Sequence, residues 1–144
     1  MEDRFEGLRL KNQICFPLYA CSREVIKRYR PFLSKLDLTY TQYIAMMVFW
    51  EEKEISVKEL GARLLLDSGT LTPVLKSLEA KGYVERHRST EDERVLLVNI
   101  TPEGEALREK AVDIPVEMGK CSSLSPEEAA ELYRLLYKLL VIEQ

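Results

Sequence analysis

Three cysteines, Cys15, Cys21 and Cys121, are the reactive groups that stand out in this chain. Thiol chemistry at neutral pH needs a thiolate, and a helix N-terminus or nearby donors lower a free thiol pKa of ~8.5 to roughly 3.5–7.5. Cys15 lies two residues before Pro17, and proline is best tolerated in the first turn of a helix. A helix restarting there would direct free N–H groups at the Cys15 sulfur. The residues alone leave a second interpretation open, a small buried cysteine.

The number and spacing of cysteines and histidines exclude several kinds of thiol site. The number of cysteines is odd and no CxxC occurs, so neither a disulfide framework nor a zinc finger fits. Cys21 falls on a different helical face from Cys15, and we expect it to be structural. His87 is the single histidine and is far in sequence from every cysteine, so no Cys–His pair is available for nucleophilic catalysis. We therefore predict no enzyme activity, no metal and no cofactor.

A second group of residues has the chemistry of nucleic-acid contact. Small hydroxyl residues and a glycine follow Asp67, which suits a helix entering a major groove end-on, because its N–H groups and dipole meet phosphate. The candidate contacts are Ser68, Gly69, Thr70, Thr72, Pro73 and Lys76. The other interpretation is an ordinary capped core helix with Leu71, Val74, Leu75 and Leu78 buried. The two are compatible, since they use opposite faces.

Three arginines, Arg86, Arg88 and Arg94, lie in a predicted β-hairpin. Arginine at a loop tip suits insertion into a narrow minor groove, where the negative potential is enhanced. Asp92, two positions before Arg94, can pair with it and hold the guanidinium in place. Acidic residues directly precede Arg94 in the sequence. On charge alone, a solvated hairpin with balanced charges is therefore as good an interpretation as a DNA contact.

Apolar periodicity and cap signals predict the elements that position these groups. The predicted helices are 8–36 with a break near 15–17, 39–50, 56–64, 68–81, one opening at 102, and 127–142; the predicted strands are 83–88 and 95–100. Thr39 with Gln42, and Ser56 with Glu59, form capping-box patterns. Asp67 or Ser68 caps the fourth helix, Gly82 ends it, and Thr101-Pro102 opens the next. The order is typical of a winged helix-turn-helix.

Composition bounds the class of protein. The 144 residues are 46% hydrophobic and 31% charged, which is typical of a folded chain. No apolar stretch reaches the length of a membrane span and the charged start, Met1–Glu6, does not resemble a signal peptide. We therefore expect a cytoplasmic protein with reduced cysteines and no membrane partner. The net charge of −3 means that any DNA-binding face must be separated from the acidic residues.

The final predicted helix is apolar nearly all round, with Leu132, Leu135, Leu136, Leu139, Leu140, Val141 and Ile142. A terminal helix of this kind must pack on a partner. We therefore expect a homodimer.

Three blocks of sequence resemble a known family. Asp92-Glu93-Arg94, followed by Thr101-Pro102-Glu103-Gly104, resembles the wing signature of the MarR family of transcription regulators. Residues 66–76 resemble the recognition helix of its OhrR branch, and residues 10–20 resemble the front of that branch. The resemblance covers residues 8 to about 115. It implies a mainly α winged helix-turn-helix with a small β wing, acting as a dimeric repressor on a pseudo-palindromic double-stranded DNA operator.

The resemblance also implies a sensor for organic hydroperoxides, with Cys15 as the oxidised thiol. Tyr19 lies one turn from Cys15, and Tyr29 and Tyr40 match positions where the branch supplies phenolic hydroxyls from the partner subunit. By position alone, Cys121 corresponds to the resolving thiol of two-cysteine members. Pro17 departs from the small residue that the branch has there.

Residues 1–36 and 102–144 are predicted to form the dimerisation helices, and residues 37–101 the winged DNA-binding domain. The main alternative is a MarR-type repressor released by a small phenolic or aromatic ligand instead of by thiol oxidation. The seven tyrosines would line such a pocket or serve equally well as core.

Overall fold

The structure is a computed structural model that describes residues 3–140. The chain divides into two compact units, Met1–Ile114 and Pro115–Gln144. The helices are α1 Cys15–Leu33, α2 Tyr40–Glu52, α3 Val57–Leu64, α4 Ser68–Ala80, α5 Pro102–Ala111, α6 Ile114–Lys120 and α7 Pro126–Leu140. The strands are β1 Glu54–Ser56, β2 Val84–Arg88 and β3 Leu96–Ile100. The mainly helical fold with a small wing is confirmed. No helix in the described range is long and apolar enough to cross a membrane.

Side-chain caps fix the starts of α2, α3 and α4. The Thr39 hydroxyl accepts a hydrogen bond from the Gln42 N–H, and the Gln42 side chain accepts one from the Thr39 N–H, so the predicted box is complete. At α3 only half of the predicted box forms, since the Ser56 hydroxyl accepts from the Glu59 N–H without the reciprocal bond. Asp67 caps α4, because its carboxylate accepts a hydrogen bond from the Thr70 N–H at 2.7 Å.

The first predicted helix is too long at its front. Two three-residue 3-10 helices, Glu6–Leu8 and Leu10–Asn12, precede α1, which begins only at Cys15. Pro17 is the third residue of α1, where its missing N–H costs no hydrogen bond. The predicted break at this place is therefore a helix start.

The wing is a three-stranded antiparallel sheet in the order β1-β3-β2. The predicted hairpin is confirmed, with Val84 opposite Ile100 and Arg88 opposite Leu96. The sequence analysis missed β1, a three-residue strand that pairs Ile55 with Val98. Such a short strand carries no periodicity of its own, and its pairing with β3 specifies it.

The core of the first unit lies between α2, α4 and the sheet. The predicted stripe of α4 is buried, and it packs with the apolar residues of α2, which include the fully buried Tyr43, Met46 and Phe49. Gly82 adopts the left-handed conformation at φ 81° that ends α4. One face of α4 is therefore buried in the core, and the opposite face is exposed to solvent.

The region after β3 contains three described helices instead of the two predicted. α5 ends at Ala111 and α6 starts at Ile114. Pro115 explains the interruption, because it has no N–H to donate and its ring would clash with the carbonyl four residues earlier, at Ala111. The predicted final helix is present as α7, and its predicted members Val141 and Ile142 lie outside the described residues.

Thr101 and Gly104 join the wing to α5. The Thr101 hydroxyl donates to the Gly82 carbonyl at 2.6 Å and accepts from the Gly104 N–H at 3.1 Å. The Gly104 carbonyl accepts from the Trp50 indole N–H at 2.9 Å. A Cβ at Gly104 would overlap the Tyr83 carbonyl oxygen. The Thr-Pro-Glu-Gly pattern is thus explained by a close backbone approach.

Gly104→Ala should lower the free energy of unfolding by roughly 1–3 kcal/mol, because the added methyl group meets backbone and cannot be accommodated by a rotamer change. Chemical denaturation measures the loss. Gly119→Ala is the matched control, since a Cβ there has no atom within 4 Å and alanine favours the helix. Equal stabilities for the two variants would contradict the close approach at Gly104.

Candidate DNA-binding face and thiol site

The solvent face of α4 carries the residues predicted to contact DNA. Ser68, Gly69, Thr70, Thr72, Pro73 and Lys76 are all exposed. The Thr72 hydroxyl donates to the Ser68 carbonyl at 2.7 Å, which fixes its orientation in the first turn. The hydrogen bond from the Thr70 N–H lowers the pKa of the Asp67 carboxyl. The N-terminal end of α4 is therefore a rigid surface of short polar side chains.

The tip of the wing presents Arg94 to solvent. Its side chain is 90% exposed, and its guanidinium donates to both carboxylate oxygens of Asp92, at 3.1 and 3.2 Å. These bonds lower the pKa of the Asp92 carboxyl. The Ser89 hydroxyl in turn accepts from the N–H groups of Glu91 and Asp92. The predicted Asp92–Arg94 pair is present and is held by the turn beneath it.

The structure separates Arg86 from the other wing arginines. Its guanidinium donates to both carboxylate oxygens of Glu79 on α4, at 3.1 and 3.2 Å, and its backbone N–H donates to the same carboxylate. The pair lowers the pKa of Glu79. Arg86 therefore fastens β2 to α4 instead of pointing to solvent, whereas Arg88, at the end of β2, is exposed. No local sequence signal links Arg86 to Glu79.

Cys15 is the first residue of α1 and is exposed. No side chain caps this helix end, and the Leu18 N–H reaches the Ile14 carbonyl only at 3.5 Å. Apolar side chains flank the thiol, with Ile14 77% and Phe16 45% exposed. Cys21, which we expected to be a structural residue, is exposed as well.

The predicted tyrosines fall into two groups. Tyr29 of α1 and Tyr40 of α2 pack with ring centroids 5.0 Å apart, and Tyr43, which sequence analysis missed, lies 5.8 Å from Tyr29. Burial raises the pKa of all three hydroxyls, that of Tyr43 to about 12. A tyrosine hydroxyl is already protonated at neutral pH, and burial shifts each of these further in that direction. Tyr19 is apart from them, with its ring 5.5 Å from the Arg23 guanidinium carbon.

Cys121 follows α6 in the second unit and is exposed. Its thiol donates to the Glu117 carbonyl at 3.6 Å. Within residues 3–140 no group of three His, Cys, Asp or Glu side chains is placed to hold a metal ion.

Comparison with known proteins places this arrangement in a family. Residues 27–113 match the model of the SarA/Rot transcriptional regulators. The chain is 49% identical over 140 residues to the organic hydroperoxide resistance transcriptional regulator of Bacillus subtilis, covering 97% of this chain and 95% of that protein.

Solved structures agree. AbfR of Staphylococcus epidermidis, in an overoxidized form bound to DNA, superposes with a TM-score of 0.79 at 33% identity and covers 96% of this chain and 97% of its own. A mutant of Escherichia coli MarR complexed with operator DNA gives the same TM-score at 28% identity, covering 96% of this chain and 99% of its own. The exposed α4 face, the arginine at the wing tip and the thiol at the start of α1 agree with these matches. The chain therefore belongs to the MarR family of winged helix-turn-helix transcription regulators, in its OhrR-like branch.

Proposed function

We propose that this protein is a DNA-binding repressor that releases its operator when an organic hydroperoxide or a related oxidant oxidises Cys15. The observation that carries the proposal is the exposed thiol at an uncapped helix start, flanked by exposed apolar side chains. A regulator that binds chromosomal DNA works in the cytoplasm, where thiols are kept reduced until an oxidant arrives.

The chemistry needs only the thiol and the peroxide. The Cys15 thiolate attacks the terminal, hydroxyl-bearing oxygen of the hydroperoxide, and the O–O bond breaks. The sulfur becomes a sulfenic acid, and the alkoxide leaves and takes up a proton to become an alcohol. Ile14 and Phe16 offer apolar surface to an organic peroxide. Tyr29 and Tyr40, whose hydroxyls are protonated at neutral pH, serve as donors to the thiolate of the partner subunit in the proposed dimer.

DNA contact uses two surfaces of the first unit. The N-terminal half of α4 enters the major groove with Ser68, Gly69, Thr70, Thr72 and Pro73, and Lys76 reaches a phosphate or a guanine edge. The wing inserts Arg94 into the minor groove, with Asp92 orienting its guanidinium and Arg88 behind it. Arg86 does not join this set, because Glu79 holds it.

The repressor acts as a homodimer through residues 1–36 and 102–144, while residues 37–101 read the DNA. The apolar side chains of α7 support its part in the dimer, since none of its described residues is buried and Leu132, Leu135, Leu139 and Leu140 are 42–64% exposed. Two copies of α7 that pack together remove this surface from water.

Sedimentation at micromolar concentration should therefore give a dimer. Leu135→Glu should shift the protein towards monomer, because it places a charge in the apolar contact, whereas Lys138→Glu on the same helix should leave the dimer intact. A parent protein that sediments as a folded monomer would remove this part of the proposal.

Operator binding before and after oxidation tests the function directly. The probe is a DNA duplex selected from a random library with the reduced protein. Treatment with cumene hydroperoxide should lower the affinity, and dithiothreitol should restore it. An affinity that is indifferent to the oxidant, or release by a small aromatic compound without oxidation, would overturn the redox proposal.

Cys121 is proposed as the resolving thiol. It condenses with the Cys15 sulfenic acid of the partner subunit, so that a disulfide forms and water leaves. Non-reducing electrophoresis after hydroperoxide treatment should show a covalent dimer that disappears in Cys121→Ser and persists in Cys21→Ser, the matched control. A monomer that carries a low-molecular-weight thiol on Cys15 would show that Cys121 does not resolve the sulfenic acid.

A further inference from the structure

Gln42 is a buried polar residue, 7% exposed, between α2 and α4. Its Oε1 accepts from the Thr39 N–H at 3.0 Å and from the Lys81 ammonium at 3.2 Å, and its Nε2 donates to the Ser77 hydroxyl at 2.9 Å. A backbone N–H and an ammonium can only donate, so the amide atom that faces both must be the oxygen. The orientation of this side chain is therefore fixed by its partners.

Lys81 extends the contact to the connection between α1 and α2. Its ammonium also donates to the Asp37 carbonyl and lies 3.5 Å from the Asp37 carboxylate. Asp37 is in the left-handed conformation, φ 53°, and ends the short 3-10 turn that follows α1. We call Asp37, Thr39, Gln42, Ser77 and Lys81 the Gln42 cluster; it joins residues 37–42 to the C-terminal end of α4.

The same segment carries Tyr40, one of the two tyrosines proposed to serve the thiol. Tyr40 and Tyr43 are neighbours of Gln42 in the first turn of α2, and their rings contact Tyr29 of α1. α4 has 13 residues and is therefore about 20 Å long. The Gln42 cluster lies at its C-terminal end, and the proposed DNA contacts between Ser68 and Pro73 lie at its N-terminal end. A small displacement of residues 37–42 thus reaches the DNA-binding end of a rigid helix.

We propose that the Gln42 cluster transmits the oxidation state of the thiol site to α4, with Gln42 and Lys81 as positioning residues. This inference rests on the proposed redox function. Apolar contacts between α2 and α4 can slide, but a buried amide that loses its partners is costly. When oxidation removes the thiolate that the tyrosine hydroxyls serve and residues 37–42 shift, the hydrogen bonds oblige the end of α4 to follow.

The double variant Ser77→Ala/Lys81→Met cuts both links to α4 and leaves the Thr39–Gln42 capping box in place. The measured quantity is the ratio of operator dissociation constants after and before cumene hydroperoxide treatment, with the library-selected duplex as the probe. We expect this ratio to fall at least about fivefold, in the range of ordinary coupling between sites. The rate of thiol loss at Cys15 should not change, since the cluster does not touch the sulfur.

Ser56→Ala is the control, because it removes a helix cap of the same kind, at the start of α3, from a residue outside the Gln42 cluster; it should keep the parental ratio. The single variants Ser77→Ala and Lys81→Met make the same test should the double variant fail to fold, and each should lower the ratio in part. A parental ratio in all of them overturns the inference while leaving the redox function standing. If the parent protein keeps its operator affinity after oxidation, both this inference and the proposed redox function are wrong.

Discussion

Cys15→Ser should bind the operator as tightly as the parent protein and should no longer release it in hydroperoxide. Serine preserves the size of the side chain and a hydroxyl at the first position of α1, so the fold and the DNA-binding face remain. Its oxygen cannot become a sulfenic acid, so the oxidation ladder has no first step. The expected effect is complete loss of the response, measured as the oxidised-to-reduced ratio of dissociation constants falling to about one.

Cys21→Ser is the matched control for this prediction. Cys21 is also an exposed thiol of α1, six residues further along the same helix, so general thiol damage would affect either residue. A specific sensor requires that Cys21→Ser responds as the parent does. If Cys15→Ser still dissociates normally under oxidant, the sensing thiol lies elsewhere and the assignment of Cys15 is wrong.

The sequence predicts the fold well where local chemistry determines the structure. Capping by Thr39 and Asp67, the glycine that ends α4 and the hairpin strands all depend on residues close in the chain. It fails where partners are distant. β1 exists because β3 lies beside it, and its three residues have no periodicity that would reveal a strand.

The candidate site shows the same division. The exposed face of α4 and the Asp92–Arg94 pair follow from helical spacing and a two-residue separation. The pairing of Arg86 with Glu79, by contrast, depends on the packing of β2 on α4, and no sequence pattern predicts it. Gln42 illustrates both outcomes. Its capping role is predicted from the sequence, whereas its hydrogen bonds to Ser77 and Lys81 are not.

Arg94→Ala should weaken operator binding by roughly 1–3 kcal/mol, or about 5- to 150-fold, if the guanidinium contacts a base edge. The free energy of unfolding should hardly change, because the Asp92–Arg94 pair is on the surface and such pairs contribute about 0–1 kcal/mol. Arg94→Lys separates charge from geometry. It keeps the positive charge but loses the planar fork that Asp92 orients, so it should restore only part of the affinity.

Arg108→Ala is the matched control for charge. Arg108 is an exposed arginine of α5 that also lies near a carboxylate, 3.7 Å from Glu105, and its loss changes the net charge of the protein equally. Titrations at several salt concentrations distinguish the kinds of contact. Loss of a phosphate contact weakens binding to all sequences and lowers the salt slope by about one, whereas loss of a base-edge contact relaxes specificity at one position. Arg94→Ala that binds as Arg108→Ala does at every salt concentration would remove Arg94 from the DNA interface.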